Sequence, residues 1–326
     1  PQSIFALERH LDKVAHVVGL SPEELRRRNF VKEGETTATS QVIREKVEMA
    51  KLLDQALKLS DYHAKREAFA RSNARSNEGF AKKRGVGFAT FMHGAGFTGS
   101  GEVYLQSVVS AEATAEGKVR ILAASTEIGQ GTNTIFSQIA SEALGVDFDS
   151  IEIVQPDTGL VPNSGPTVAS RTSMVVGKLV ESAVTGLKQT LIGSGLLPDN
   201  YGQAEFKRAC AEYIAKFGSL KTSSTYQPPP NVHWDDEKYQ GDAYGAYAWA
   251  VYVAEVSFDE LTYEARVEDF VALQEVGRVL NPVLAAGQIE GGVAQGIDQL
   301  RTAVRERAER VRARLVAEAP SLREVV

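Results

Sequence analysis

Three stretches of the 326-residue sequence carry residue types that can hold a polar ligand. In the first, Gly129-Gln130-Gly131 precedes a helix-like run. Unpaired backbone N–H groups at a helix start favour an anion, and the Gln130 amide offers both a donor and an acceptor. The bland reading of the two glycines is a tight connection. In the second, Ser164, Thr167, Ser170, Thr172 and Ser173 place five hydroxyls within ten residues at another expected helix start, around the small Ala169. That segment can wrap a hydrogen-bond-rich cofactor, and a loop capping itself accounts for it as well. In the third, Gly287-Gln288 and Gly291-Gly292 bring glycine and glutamine together again. Sites so far apart suggest one large ligand held by converging backbone. A protein-built metal cage is not suggested, because His10, His16, His63, His93 and His233 show no ligand spacing. Glu102 and Glu127 are candidate acid/base groups, with a solvated or structural carboxylate as the commoner role.

Composition narrows the classes. Hydrophobic residues make up 43% and charged residues 24%, the balance of a folded chain rather than a disordered one. A net charge of −6 without a long basic stripe argues against nucleic-acid binding. Cys210 is the only cysteine, so a disulfide, an iron–sulfur cluster or a cysteine zinc site within this chain is excluded. No apolar run is long enough for a membrane span, and no signal peptide is visible. A start at Pro1 carries the expectation that the natural N-terminus lies upstream.

The elements that would position these stretches read as α+β. Ser21-Pro22-Glu23-Glu24 is a capping box, with Leu20 and Leu25 placed for a hydrophobic staple. Helices are expected near 45–59 and 61–73, and strands over 103–111 and 118–124 around Glu116-Gly117. A helix with Ile135, Ile139 and Ala143 on one face stops at Gly145 before a strand over 151–154. This makes a strand, glycine turn, helix, strand unit. The loop 157–172 opens a helix to about residue 192, and 193–230 reads as a short helical piece in polar linker. Strands follow over 247–258 and 265–273, then a turn and a Gly-rich helix over 283–297. Beyond Gly296 there is no glycine and beyond Phe270 no aromatic residue. From Asp298 onward there are seven Arg and no Lys, with Leu300, Val304, Val311 and Leu315 spaced for one side of a helix.

Thr126-Glu127-Ile128-Gly129-Gln130-Gly131, Pro162-Asn163-Ser164-Gly165-Pro166-Thr167-Val168-Ala169-Ser170-Arg171, Gly277-Arg278-Val279-Leu280-Asn281-Pro282, and Gly287-Gln288 through Gly291-Gly292 to Gln295-Gly296 resemble, in order, the xanthine dehydrogenase/aldehyde oxidase family. The likeness is to its molybdenum-cofactor-binding subunit or domain and runs from Pro1 to about Ile297, incomplete at both ends. It implies a partial cofactor-binding fold with N-terminal helices. Residues 1–82 would belong to a first cofactor-binding domain and 83–297 to a truncated second one, with 298–326 a tail unlike the family.

The resemblance implies a cytoplasmic molybdenum hydroxylase. Its cofactor would be a pyranopterin, as molybdopterin or its dinucleotide, with 2Fe-2S clusters and FAD on partner subunits or missing domains of an oligomer. A purine, another N-heterocycle or an aldehyde would be hydroxylated with water as the oxygen source. Gly129, Gln130, Gly131, Ala169, Ser170, Thr172 and Gln288 would bind the cofactor, with Ala169 beside the metal but not ligating it. Phe97 and Thr98 would face the substrate, although Phe97 also reads as a core aromatic. The family's general base, a glutamate in a glycine-flanked motif beyond Gln295-Gly296, has no counterpart, so no catalytic residue is assigned. The alternative is a non-catalytic cofactor-binding or assembly module. A generic nucleotide-binding protein ranks third, since the glycine turn lacks a P-loop lysine and a dinucleotide fingerprint.

Overall fold

The computed structural model describes residues 2–75 and 82–318. Along the chain these form α1 (Gln2–Val17), α2 (Pro22–Asn29), α3 (Met49–Leu59), α4 (Tyr62–Arg75), β1 (Lys82–Gly94), α5 (Gly101–Leu105), β2 (Val108–Ala113), β3 (Val119–Leu122) and α6 (Thr132–Leu144). Then come β4 (Ile151–Ile153), a π-turn over Thr172–Val176 that continues as α7 (Gly177–Gly193), α8 (Gln203–Phe217), β5 (Leu220–Thr225), β6 (Trp234–Asp235), β7 (Gln240–Gly241), β8 (Tyr247–Asp259), β9 (Ala265–Glu275) and α9 (Pro282–Glu318). Pro1, within the sequence match at the N-terminus, and residues 319–326 of the tail lie outside the described residues, as do the side chains of Val304, Val311 and Leu315.

The α+β reading holds, and it divides into two packed layers. The antiparallel sheet β1-β8-β9 carries α3 and α4 on one face. Met49, Leu53, Ala56 and Leu57 of α3 bury against Trp249, Val251 and Val253 of β8 at helical spacing. Ser21 caps α2 by accepting from the Glu24 N–H at 3.2 Å. The Glu24 carboxylate takes Arg28 instead of closing the box. Arg26, 4% exposed, ties α2 to α1 through Glu8 and Asp12 and lies over the Phe88 ring of β1.

The second sheet, β4-β3-β2-β5, packs on α6, α7 and α8 around Ile121, Phe136, Leu144, Val180, Leu187 and Phe206. β3 and β4 run parallel with α6 between them, which is the strand, glycine turn, helix, strand unit. Gly145 ends α6 in the left-handed conformation. Cys210 is buried in this core, and burial pushes its thiol up to about 12, so it stays protonated and unreactive.

Three local expectations change. Residues 103–105 are helical because Gly101–Leu105 turns Glu102 inward, and Gln106 (φ +47°) then reverses the chain into β2. The polar stretch 220–225 is the edge strand β5, held by hydroxyls: Thr222 Oγ1 donates to the Ala183 carbonyl and Ser223 pairs with Ser110. The composition change at residue 297 falls inside one continuous helix, α9, half-buried along Ala285, Ile289, Val293 and Ile297.

A register shift between β8 and β9 beside Glu255 leaves that carboxylate 5% exposed against Arg84 and Lys65, the latter at 2.8 Å. Burial works to raise the Glu255 carboxyl, and the two cations outweigh it and hold it below the usual range. Its stabilising contribution is therefore complete above about pH 4.3, the ordinary glutamate value, and is lost as pH falls through the lower folded value. Thermal unfolding followed across this range should show Glu255→Gln less stable than the parent at neutral pH. The two melting temperatures should then converge in acid.

Candidate cofactor site

The site is built where loops from both layers meet. The segment 163–171 is stitched to the ends of β2 and β3 through Ser164, which is fully buried. Its Oγ donates to the Val108 carbonyl at 2.8 Å and accepts from the Ala124 N–H at 2.9 Å. Thr167 Oγ1 accepts from the Thr126 N–H at 2.9 Å, so the glycine turn and the hydroxyl segment lie side by side. From the other layer, β1 ends at Gly94 and leads into 95–100. The Gly96 N–H donates to the Ala169 carbonyl at 2.9 Å, which brings Phe97-Thr98 against Ala169-Ser170.

The glycine turn proves to be already filled. Glu127 accepts from the N–H groups of Gly129 (2.7 Å), Gly131 (3.1 Å) and Asn133 (3.0 Å) at the start of α6. Burial tends to raise its carboxyl, and the backbone N–H groups of Asn133, Gly131, Gly129 and Gln130 outweigh that and hold it below the usual range. The anion that this helix start favours is thus the chain's own carboxylate. Gln130 is also committed: its Nε2 donates to the Thr126 carbonyl and Thr132 Oγ1, and its Oε1 accepts from the Ile128 N–H. Gly129 and Gly131 both have positive φ, +99° and +91°. A Cβ at Gly129 would meet open space, whereas one at Gly131 would sit 2.6 Å from Leu284 of α9. Gln288 is exposed one helical turn beyond Leu284.

The hydroxyl segment is different. Ala169 and Ser170 are consecutive non-glycine residues with positive φ, +58° and +51°. The helix that begins at Thr172 has no side-chain cap. Ser164 and Thr167 are spent on neighbouring loops, while Ser170, Thr172 and Ser173 make no side-chain hydrogen bond among the described residues. Following the Gly96–Ala169 bond on the other side of the site, Phe97 is half-buried, and the Thr98 hydroxyl is 2.7 Å from that of Tyr244. The Tyr244 ring lies so close to Gly94 that a Cβ there would be 2.1 Å from it.

Two residues central to this arrangement take a role that the sequence reading did not give them. Arg171 is fully buried and Glu102 is 5% exposed. Arg171 Nε donates to Glu102 Oε1 (2.9 Å) and Oε2 (3.0 Å), and Nη2 donates to Glu102 Oε2 (2.8 Å) and Ser107 Oγ (2.7 Å). Nη1 donates to the carbonyls of Ser164 (2.9 Å) and Pro166 (3.2 Å). Glu102 Oε1 also accepts from the Phe97 N–H at 3.1 Å. Glu102 was a candidate acid/base group, and its carboxylate is bound up in this pair. Arg171 stood in the sequence only as the end of the 162–171 motif, with no role of its own assigned.

A family model described as molybdopterin cofactor-binding domain matches residues 55–306. The chain belongs to that family. Among relatives of this molybdopterin-binding chain, xanthine dehydrogenase/oxidase of Felis catus is 30% identical over 299 residues, covering 91% of this chain and 22% of the relative. The aldehyde oxidoreductase structure from Desulfovibrio gigas superposes with a TM-score of 0.74 at 28% identity, over 91% of this chain and 31% of that one. Quinoline 2-oxidoreductase from Pseudomonas putida 86 follows with a TM-score of 0.71 at 25% identity, over 89% and 39%. The chain therefore spans about a fifth of the length of its xanthine dehydrogenase relatives.

The residues fit a pyranopterin with phosphate and many hydrogen-bonding groups. The uncapped helix start at Thr172 and the unspent hydroxyls of Ser170 and Thr172 supply donors. The bare face of Gly129 permits close backbone approach. Among the described residues no group of three or more His, Cys, Asp or Glu is placed to hold a metal ion. No helix there is long and apolar enough to cross a membrane.

Removing the internal anion should loosen the turn. Glu127→Gln is expected to cost roughly 0.5–1 kcal/mol by denaturant unfolding. Amide exchange at Gly129, Gly131 and Asn133 should rise with it. Ser164→Ala removes the acceptor of the half-buried Ala124 N–H, for an expected loss of about 1 kcal/mol in the same experiment.

Proposed function

We propose that this chain is the cofactor-holding part of a molybdenum hydroxylase that oxidises a flat N-heterocycle such as a purine, or an aldehyde. The observation that carries the reading is the Gly96–Ala169 hydrogen bond, which puts the Phe97-Thr98 loop across from the open helix start at Thr172. When bound, molybdopterin supplies a molybdenum centre that directs an oxygen atom from water into an activated C–H bond and takes up two electrons. Those electrons would leave through 2Fe-2S and FAD groups on partner subunits or further domains.

The roles of the chain's own residues follow from their placement. Ser170 and Thr172 would donate to the pterin, while the bare face of Gly129 would let it approach the backbone, and Gly131, packed against Leu284, would hold the turn that presents it. Ala169, with only a methyl side chain, would leave room beside the metal. Gln130 would exchange one of its loop hydrogen bonds for the cofactor, and Gln288 would reach the same side from α9. Phe97 would pack on a flat substrate ring. Tyr244 holds the Thr98 hydroxyl in one orientation.

A second reading, a non-catalytic cofactor-binding or assembly module, also has support. The two carboxylates offered as acid/base candidates, Glu102 and Glu127, are both taken up by the chain's own donors, Arg171 and the Phe97 N–H for the first and the glycine-turn N–H groups for the second. This chain by itself is therefore expected to show no substrate oxidation.

The deciding experiment uses the complete protein with its redox partners, expressed with molybdate. Metal and pterin content are measured first, then oxidation of a purine, a quinoline and an aromatic aldehyde in ¹⁸O-labelled water. The hydroxylase reading expects bound molybdenum, labelled product, and a KM for the heterocycle raised about tenfold or more by Phe97→Ala. A stable, cofactor-free assembly without turnover would establish the module instead.

A further inference from the structure

We propose that Arg171 is a positioning residue whose buried ion pair with Glu102 makes the two sides of the site one mechanical unit. It holds Ala169 and Ser170 in their left-handed conformation and fixes Phe97 opposite them. The proposal rests on the cofactor-site reading above and deepens it.

The argument begins with backbone strain. Left-handed φ is disfavoured for any residue with a Cβ, and two such residues in succession persist only where the surroundings over-determine them. Ala169 and Ser170 are immediately followed by Arg171, and the carbonyls before them, at Ser164 and Pro166, both accept from its Nη1. The loop is thus wound around one guanidinium. Gly165 (φ +77°) permits the winding, since a Cβ there would lie 2.9 Å from Arg171 Nη1 and from Ser107 Oγ.

The connection to the opposite side runs through Glu102. One of its oxygens serves Arg171 and the Phe97 N–H together. The Gly96 N–H reaches the Ala169 carbonyl directly. A Cβ at Gly96 would be 3.3 Å from Glu102 Oε1, so the carboxylate sits tight under the loop. The Arg171 guanidinium and the Glu102 carboxylate are themselves buried from water, and all the guanidinium donor positions are used. Lysine, with one compact ammonium, cannot serve the same diverging acceptors.

The test uses the complete assembled protein with three variants: Arg171→Lys, Arg171→Lys combined with Ser170→Gly, and the charge-free double substitution Arg171→Met with Glu102→Met. Hydrogen exchange at Gly96, Phe97 and Arg171, bound pterin, and KM and kcat are measured for each. Exchange at Gly96 and Phe97 should accelerate about tenfold or more in Arg171→Lys, even though the substitution lies across the site. Pterin content should fall, and kcat should fall more than KM rises. Ser170→Gly should restore part of the pterin content, because glycine removes the strain that Arg171 restrains.

If Arg171→Lys does not fold, the double Met variant is read instead, with the same local exchange expected on an otherwise protected core. Unchanged exchange at Gly96 and Phe97, or a uniform rise across the whole chain without rescue by Ser170→Gly, would overturn the proposal and leave Arg171 as a general fold staple. The exchange readout needs no cofactor. A protein that never binds pterin but shows the local coupling would refute the functional reading and keep this one.

Discussion

The buried pair between Arg171 and Glu102 is the interaction on which the arrangement of this chain turns. Taking a guanidinium and a carboxylate out of water is costly, and the cost is offset only when both are fully hydrogen-bonded. Here they are, with Ser107 and the carbonyls of Ser164 and Pro166 completing the guanidinium and the Phe97 N–H completing the carboxylate. Deleting one partner of such a pair typically costs about 3–5 kcal/mol, because the other is left buried and unpaired. The consequence is geometric: α5, the end of β1 and the loop before α7 cannot move independently. A site that must grip a large cofactor on one side and a small substrate on the other benefits from such a shared anchor.

Two helix starts lie close together in this molecule and are treated in opposite ways. At α6 the backbone N–H groups are answered by Glu127, a carboxylate four residues before Gly131. At Thr172 no side chain answers them, and Arg171 in the cap position points its charge inward. The electrostatics of a helix terminus is the same in both places. What differs is whether the local chain provides the anion. The first end becomes a rigid turn presenting bare glycine backbone, and the second remains able to receive an external acceptor.

Much of the fold was legible in sequence. The β3–α6–β4 unit follows from alternation, a glycine pair, a helical stripe and Gly145 as a stop, all local signals. Ser21 announced the start of α2. The misread pieces are those whose conformation depends on distant partners. Val103–Leu105 has strand-like residues, but Glu102 must turn toward Arg171, and a short helix accomplishes that. The stretch 220–225 lacks the apolar alternation of a strand because its pairing with β2 relies on hydroxyl hydrogen bonds and on one buried leucine. At the site, the Gly129-Gln130-Gly131 turn and the hydroxyl segment stood out by composition, while the Tyr244 contact to Thr98, across 146 positions, had no sequence signal.

By itself, then, the sequence determined the α+β class, the parallel unit, the glycine turns and the family to which its motifs belong. These depend on propensity, periodicity and short-range spacing, which are written within a few residues of one another. Only the tertiary structure decided which helix start stays open, that Gln130 bonds within its own loop, and that Arg171 is buried rather than solvated. The reason is physical: a charge is buried only if a complete set of partners converges on it. Here Glu102 lies 69 positions away and Ser107 lies 64, a distance that no local pattern encodes.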